Sequence, residues 1–213
     1  MSSFRNPSPL QAIVFDFGGV LIDWNPRYLY RQFFNTDEAV ERLLAEIGFF
    51  EWNQHQDAGR SFSEAVAELT AQHPRYADLI RAYDERYEEC LSGPIQGTVE
   101  ILKALRSLGF PLYGLSNWPA EKFAGVRQKH AFFELFDDIV LSGEVGITKP
   151  DPRIFLLLLE RIGRPAQDCL FIDDAEANLA AARALGFRTV LFQDPRQLRQ
   201  VLAGEYAISI QPE

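Results

Sequence analysis

The chain has 213 residues, of which 30 are acidic and 21 are Lys or Arg, so its formal net charge is −9 at neutral pH. This length suits one domain, or one domain with an inserted subdomain, and 47% hydrophobic residues is ordinary for a globular protein. The acidic balance excludes general binding to nucleic acid, which needs a basic face, but it allows a small anionic substrate beside a metal ion.

Cysteine usage and the N-terminus indicate the compartment. The two cysteines, Cys90 and Cys169, lie far apart and show no zinc-type spacing, so we predict neither a disulfide framework nor a structural zinc site. Residues 1–10 lack the basic and apolar regions of a secretion leader, and no run approaches the roughly 20 apolar residues of a membrane span. We expect a soluble cytoplasmic protein, monomeric or homodimeric, with no membrane partner.

The first predicted element is a buried strand over residues 12–15, which ends at Asp16. Helical patterns without strands follow over residues 36–47, from a capping box at Ser61 through residue 69, and over residues 76–91. Ser92-Gly93-Pro94 then predicts a return hinge. From residue 97 onward, apolar strands at 112–115, 138–141, 169–172 and 189–192 alternate with helices at 99–108, 154–162 and 175–185.

This alternation predicts an α/β fold with a mostly parallel sheet. We predict that the core comprises residues 1–22 and 95–213. Residues 23–94 are predicted to form an inserted, all-helical cap.

Polar residues stand where the predicted strands end. They are Asp16, the pair Ser116-Asn117 and the pair Asp173-Asp174, and Lys149 precedes Pro150 in a nearby loop. Each alone is ordinary, as a helix cap, a turn or a solvated lysine. Because ligands collect at the carboxyl ends of parallel strands, the combination predicts a site with carboxylates, neutral donors and one cation at a single edge. Adjacent carboxylates also destabilise each other unless a cation compensates.

These segments resemble the four motifs of the haloacid dehalogenase-like (HAD) hydrolase superfamily. The matching segments, in chain order, are Asp16-Phe17-Gly18-Gly19-Val20, Ser116-Asn117, Lys149-Pro150 and Phe171-Ile172-Asp173-Asp174-Ala175-Glu176-Ala177-Asn178. The resemblance covers residues 10–22 and 95–195. It implies a Rossmann-like core with a helical cap over the active site, and a hydrolase that acts on a small phosphorylated metabolite.

The resemblance implies a magnesium-dependent phosphatase. Asp16 would attack phosphorus and form an aspartyl-phosphate that water hydrolyses. Mg²⁺ would be held by Asp16, the Gly18 carbonyl and Asp174, with Asp173 binding directly or through water.

The remaining motif residues would bind the phosphoryl group. Ser116, the Asn117 backbone N–H and Lys149 would hold its oxygens and stabilise charge in the transition state. Gly18 and, beyond the phosphate, Trp24 and Arg60 are further candidates for substrate binding.

Gly18 departs from the pattern of many phosphatases in the superfamily, which carry an acid/base Asp at that position. Three explanations stay open. The substrate could have a good leaving group, as in the sugar-phosphate (glucose-1-phosphate-type) phosphatases that this Gly-rich motif resembles. Asp23 or a cap residue could supply the proton. Third, the protein could be a weak enzyme or a phosphate-binding module.

Two further points concern the cap and the reaction. Trp52, His55, Asp57 and Arg60 fall in a polar stretch that reads as a loop able to reach the site, or as a solvated turn with Trp52 packed in the cap. Trp118 either lines the pocket or covers the sheet edge.

The alternative reaction is that of a 2-haloacid dehalogenase, with Asp16 as nucleophile and no metal. The paired Asp173 and Asp174 argue against it, because they would repel an anionic substrate.

Overall fold

The computed structural model describes residues 10–210, and seven strands and eleven α-helices lie in this range. The strands are β1 (Ala12–Phe15), β2 (Ile22–Trp24), β3 (Leu91–Pro94), β4 (Leu112–Ser116), β5 (Asp138–Leu141), β6 (Cys169–Asp173) and β7 (Arg188–Leu191). The helices are α1 (Pro26–Tyr30), α2 (Asp37–Glu46), α3 (Phe49–Asp57), α4 (Phe62–Gln72), α5 (Ala77–Glu85), α6 (Gln96–Ser107), α7 (Ala120–Lys129), α8 (Ser142–Val145), α9 (Pro152–Ile162), α10 (Glu176–Ala184) and α11 (Pro195–Tyr206).

Five strands form a parallel sheet in the order β5-β4-β1-β6-β7, as the alternating pattern predicts. The central strand β1 is buried along its whole length. Its side chains alternate between two apolar clusters, with Ile13 and Phe15 in one and Ala12 and Val14 in the other. Because both faces of the sheet are covered, the strand reads as a continuous apolar run. The α/β, Rossmann-like fold class is confirmed.

The cap is not all-helical, which corrects the prediction for residues 23–94. The strands β2 and β3 pair antiparallel where the chain enters and leaves the cap, with Asp23 opposite Gly93 and Ile22 opposite Pro94. The helix predicted over residues 76–91 is shorter in the structure: α5 ends at Glu85, and a 3₁₀ turn, Tyr87–Cys90, leads directly into β3. Strands this short carry no apolar alternation, so only the meeting of two distant segments reveals them.

The helices of the cap enclose an aromatic cluster centred on Tyr83, whose ring contacts Phe49, Trp52, Phe62 and Tyr87. The helix predicted over residues 36–47 is α2, and the helix predicted after Ser61 is α4, with the Ser61 side chain accepting from the Glu64 N–H. Both are confirmed.

The stretch around residues 52–57 is helix α3 and not a loop, which is a second correction. The helix begins after Gly48 without a side-chain cap and buries two polar residues, Asn53 and Gln56, so it lacks the usual apolar spacing. Trp52 is buried in the cap cluster, and its indole N–H donates to the Ala65 carbonyl at 3.1 Å.

Residues 1–9 and 211–213 lie outside the described residues, and with them most of the segment predicted to lack a secretion leader. Among residues 10–210, none of the helices combines the length and the apolar character that crossing a membrane requires.

Candidate active site

Asp16 lies at the carboxyl end of β1, the strand on which the candidate site is centred. Its Oδ1 atom accepts hydrogen bonds from the Phe17 N–H at 2.7 Å and the Ser116 hydroxyl at 2.9 Å, and it lies 2.9 Å from the Lys149 ammonium. Ser116 ends β4, the neighbouring strand. Parallel pairing in register therefore brings two of the predicted catalytic residues into direct contact.

Lys149 links the nucleophile candidate to the fourth motif. Its ammonium lies 2.7 Å from Asp173 Oδ2 as well as 2.9 Å from Asp16, and its side chain is 1% exposed. The Asn117 side chain holds the Lys149 backbone on both sides, donating to its carbonyl at 2.9 Å and accepting from its N–H at 2.8 Å. Asn117 thus positions the lysine through its side chain.

Asp173 is completely buried, and both of its oxygens are bonded to the protein. Oδ1 accepts from the Ala175 N–H at 2.8 Å and from Asn178 at 3.0 Å, and Oδ2 accepts from Lys149 at 2.7 Å and from Asn178 at 3.0 Å. These bonds occupy the lone pairs that a metal would use, so this geometry favours Asp173 as a residue that orients Lys149. Asn178 stands in the fourth motif, but its spacing from Asp173 alone does not reveal this role.

The Asp174 side chain lies against Gly19, in the loop after β1. A Cβ atom at Gly19 would lie 2.2 Å from Asp174 Oδ2, and Gly19 has a φ of +74°. Both facts require glycine at this position. At Gly18 the situation is different, because a Cβ there would meet no atom within 4 Å.

The electrostatics of this cluster favour a divalent cation. Carboxylate oxygens of Asp16, Asp173 and Asp174 lie within 4.8 Å of one another. Burial raises the pKa of Asp16 to about 7, with the charges of Asp173 and Asp174 adding to the rise and Lys149 opposing it. Burial also raises the Asp174 pKa, and the Asp173 charge adds to it. Three carboxylates against one ammonium leave two negative charges uncompensated, and oxygen donors are the ligands that Mg²⁺ prefers. The residues present fit that ion.

Lys149 stays charged in these surroundings. Burial opposes its charge, but Asp16 and Asp173 outweigh that effect and raise the Lys149 pKa. The site therefore keeps one fixed cation for a phosphoryl or carboxylate group.

Arg60, predicted to bind substrate, is bonded within the cap. Its guanidinium donates to Gln56 at 2.9 Å, to Glu68 at 2.7 Å and to the Trp52 carbonyl at 3.3 Å. These contacts occupy all three nitrogens, so the structure gives Arg60 a role in holding α3 against α4. The sequence pattern shows only a charged residue after a glycine, which does not distinguish the two roles.

Two tryptophans predicted near the substrate lie at the junction of cap and core. Trp118 is 2% exposed and packs against Tyr87 of the cap, with ring centroids 6.5 Å apart. Trp24 is partly buried in β2 and packs against the apolar cluster that also contains Tyr87. Trp24 and Trp118 therefore lie where the cap meets the core.

Comparison with known proteins identifies the family of this chain. A sequence profile of the haloacid dehalogenase-like hydrolases matches residues 10–186. The sesquiterpene phosphatase astK of Aspergillus oryzae is 30% identical over 176 residues, which is 83% of this chain and 86% of that protein.

Solved structures share the fold. A predicted HAD-like family hydrolase from Porphyromonas gingivalis is 26% identical with a TM-score of 0.70, covering 91% of this chain and 98% of that one. A variant of a HAD family enzyme from Bacteroides thetaiotaomicron, crystallised with magnesium and inorganic phosphate, is 22% identical with a TM-score of 0.69, covering 87% and 95%.

The chain belongs to the haloacid dehalogenase-like hydrolase family and is a hydrolase. Its relatives in that family support phosphatase activity.

Proposed function

We propose that this protein is a magnesium-dependent phosphatase that hydrolyses a small phosphate monoester through an aspartyl-phosphate on Asp16. The observation that carries the proposal is the contact of Asp16 with both Ser116 and Lys149, beside two further carboxylates. This arrangement provides a nucleophile, a neutral donor, a fixed cation and a set of oxygen ligands at one sheet edge.

Each residue of the site has its own role in this reaction. The Asp16 carboxylate attacks phosphorus, and the bond from phosphorus to the leaving oxygen breaks. Ser116, the Asn117 backbone N–H and Lys149 bind the phosphoryl oxygens, whose negative charge they stabilise in the transition state. Asp16, Asp174 and the Gly18 carbonyl would hold Mg²⁺, with Asp173 beside them bonded to Lys149. The ion, when bound, neutralises the charges that otherwise keep carboxylate and phosphate apart. Water then hydrolyses the aspartyl-phosphate.

The substrate class is proposed from two resemblances. The Gly-rich first motif is similar to that of sugar-phosphate phosphatases, which makes sugar phosphates the first class to assay. The similarity to astK makes a sesquiterpene phosphate the second. Trp24 and Tyr87, together with Trp118 of the core, which packs against Tyr87, would contact either leaving group.

The test is release of inorganic phosphate from a panel that includes glucose 1-phosphate, a triose phosphate, farnesyl phosphate and p-nitrophenyl phosphate. We expect turnover with Mg²⁺, its loss in EDTA, and a fall of at least about 10³-fold in Asp16→Asn. Asp78→Asn, which changes an exposed carboxylate of the cap, is the matched control and should retain full activity.

Three outcomes would contradict the proposal. Wild-type rates in Asp16→Asn would remove the nucleophile assignment. Chloride release from 2-chloropropionate that persists in EDTA would identify a dehalogenase. Tight phosphate binding without turnover of any ester would identify a phosphate-binding module.

A further inference from the structure

Among residues 10–210, no titratable core side chain beside Asp16, apart from the proposed metal ligand Asp174, is placed to carry a proton to or from the substrate. Gly18 has no side chain, and the Asp173 carboxylate is fully bonded within the protein. Lys149 lies between two carboxylates that raise its pKa, which makes it a poor acid at neutral pH. A proton donor for the leaving group must therefore come from outside this cluster.

The end of helix α3 reaches the core at the required place. A Cβ atom at Gly59 would lie 3.1 Å from the Gly143 carbonyl, so the turn after α3 rests directly on α8. Gly143 is itself packed against Trp118 and Ala120, in the segment that follows Ser116. Asp57, the last residue of α3, stands two residues before this contact and is close enough to Asp16 and Lys149 to interact with their charges.

Asp57 is oriented by buried polar residues of the cap. The Asn53 amide donates to Asp57 Oδ2 at 3.3 Å, and the Tyr83 hydroxyl donates to Asn53 Oδ1 at 2.7 Å. Asn53 is 8% exposed and Tyr83 is fully buried. A polar pair in the middle of an aromatic cluster is costly unless it is hydrogen-bonded, and here its bonds lead to one carboxyl group.

Titratable groups of both subdomains interact electrostatically with Asp57. They are Asp16 and Lys149 in the core, and Tyr83 and Tyr87 in the cap. Burial raises the pKa of Asp57 to about 7, with the Asp16 charge adding to the rise and Lys149 opposing it. Near neutral pH this carboxyl group can therefore both give and take a proton.

Asp23, the other candidate named from the sequence, is held differently. Its Oδ2 atom accepts from the Tyr28 hydroxyl at 2.8 Å, at the base of the cap in the β2–β3 pair.

We propose that Asp57 is the general acid and base of the reaction, supplied by the cap in place of the side chain absent at Gly18. This inference rests on the proposed phosphatase function. As Asp16 attacks and the bond from phosphorus to the leaving oxygen breaks, the Asp57 carboxyl proton passes to that oxygen, releasing an alcohol. The Asp57 carboxylate then takes a proton from water as the water attacks phosphorus. The bond from Asp16 to phosphorus breaks, phosphate is released, and both carboxyl groups return to their starting states.

The test is the dependence of the rate on the leaving group. Wild type and Asp57→Asn are assayed with glucose 1-phosphate, glycerol 3-phosphate, phenyl phosphate and 2,4-dinitrophenyl phosphate. We expect Asp57→Asn to lose about 10²–10⁴-fold in kcat/KM, which reports formation of the aspartyl-phosphate, on the alkyl phosphate, whose leaving oxygen needs the proton. The loss should be less than about tenfold on the dinitrophenyl ester, whose leaving group departs unprotonated. Glu51→Gln, an exposed carboxylate on the same helix, is the control and should behave as wild type.

A second variant guards against a simple folding defect. Gly18→Asp places a carboxyl group where the structure leaves space, so adding it to Asp57→Asn should restore at least about tenfold of the rate on the alkyl phosphate. Retained dinitrophenyl phosphatase activity shows that Asp57→Asn is folded.

The inference is overturned if the loss of kcat/KM in Asp57→Asn is the same factor on every ester, or if kcat/KM on the alkyl phosphate is unchanged. If the wild type hydrolyses none of the esters, the proposed phosphatase function fails instead, so the two failures are distinguishable.

Discussion

The core and cap sides of the candidate site are built in different ways. On the core side, Asp16, Ser116 and Asp173 each stand at the end of a parallel strand, and sheet hydrogen bonds determine their relative positions. On the cap side, Asp57 ends a helix and is held by one buried amide and by the contact of Gly59 with Gly143. The core half is thus set by strand register, whereas the cap half depends on how two subdomains meet.

The difference suggests a division of roles. The core half carries buried, mutually interacting charges, so changes there should affect the stability of the fold as well as the chemistry. The cap half carries one proton-bearing group at an interface, so changes there should affect turnover while the core stays folded. Substitutions in the two halves should therefore have separable effects.

The largest effect is expected from Lys149→Met, which breaks the core half. Removing the ammonium leaves Asp16 and Asp173 buried without their cation, and breaking a buried ion pair costs about 3–5 kcal/mol in the free energy of unfolding. Urea unfolding followed by tryptophan fluorescence measures this. Lys129→Met removes an exposed pair with Glu88 and should change the free energy little.

Adding Asp173→Asn to Lys149→Met should recover part of the lost stability, because it removes one of the stranded charges. An equal loss in Lys149→Met and Lys129→Met would show that the core charges are not coupled as described.

The second effect, stabilisation by Mg²⁺, should also belong to the core half. The pKa of Asp16 is about 7 in the folded protein, above the roughly 3.9 of an unfolded chain. In the metal-free protein, its contribution to stability is therefore present below pH 4 and lost as the pH rises through 7.

Mg²⁺ binds the ionised form, so its stabilisation should grow with pH. At about 100 times the dissociation constant it should add about 2.7 kcal/mol at pH 8, and clearly less at pH 5.5. Thermal unfolding with and without Mg²⁺ measures this, and Asp174→Asn should abolish the shift while Asp78→Asn keeps it. A shift of the same size at both pH values would argue against a carboxylate site.

The smallest effect is expected from Gly59→Ala, which disturbs only the meeting of cap and core. Gly59 has a φ of +96° and Gly48 a φ of +59°, so alanine at either position carries backbone strain of about 1–2 kcal/mol. At Gly59 the added methyl also meets the Gly143 carbonyl at 3.1 Å, whereas at Gly48 it meets no atom within 4 Å. Steady-state kinetics should show a several-fold lower kcat/KM for Gly59→Ala, with Gly48→Ala close to wild type. Equal kinetics in both variants would mean that this contact does not place Asp57.

The motifs alone predicted most of the core site. Continuous apolar runs, typical of strands buried on both faces of a sheet, identified the parallel strands. The polar residues that follow these runs are those that meet around Asp16. The structure adds the side-chain contacts of Asn117 and Asp173. Asn117 holds the Lys149 backbone with its side chain, and Asp173 is bonded to Lys149 and Asn178. Which atom of a polar residue faces the site is decided by its neighbours, and these come from other parts of the chain.

The cap was predicted less well, for a physical reason. Helix α3 buries Asn53 and Gln56, so it lacks the apolar spacing by which an amphipathic helix is found. The strands β2 and β3 are too short to show alternation. Arg60 reads as a free cation next to a glycine, yet its nitrogens are bonded to Gln56, Glu68 and the Trp52 carbonyl.

The amino-acid sequence by itself determined the α/β class, the parallel sheet, the place of the insertion and the residues at the strand ends, because these follow from local hydrophobic patterns and from the geometry of parallel strands. Only the tertiary structure decided which cap residue interacts with the charge of Asp16. Asp57 and Arg60 stand three residues apart in one polar stretch, and Asp57 interacts electrostatically with Asp16 and Lys149, whereas Arg60 is bonded inside the cap. That choice depends on how α3 packs against α4 and α8, which no local pattern encodes.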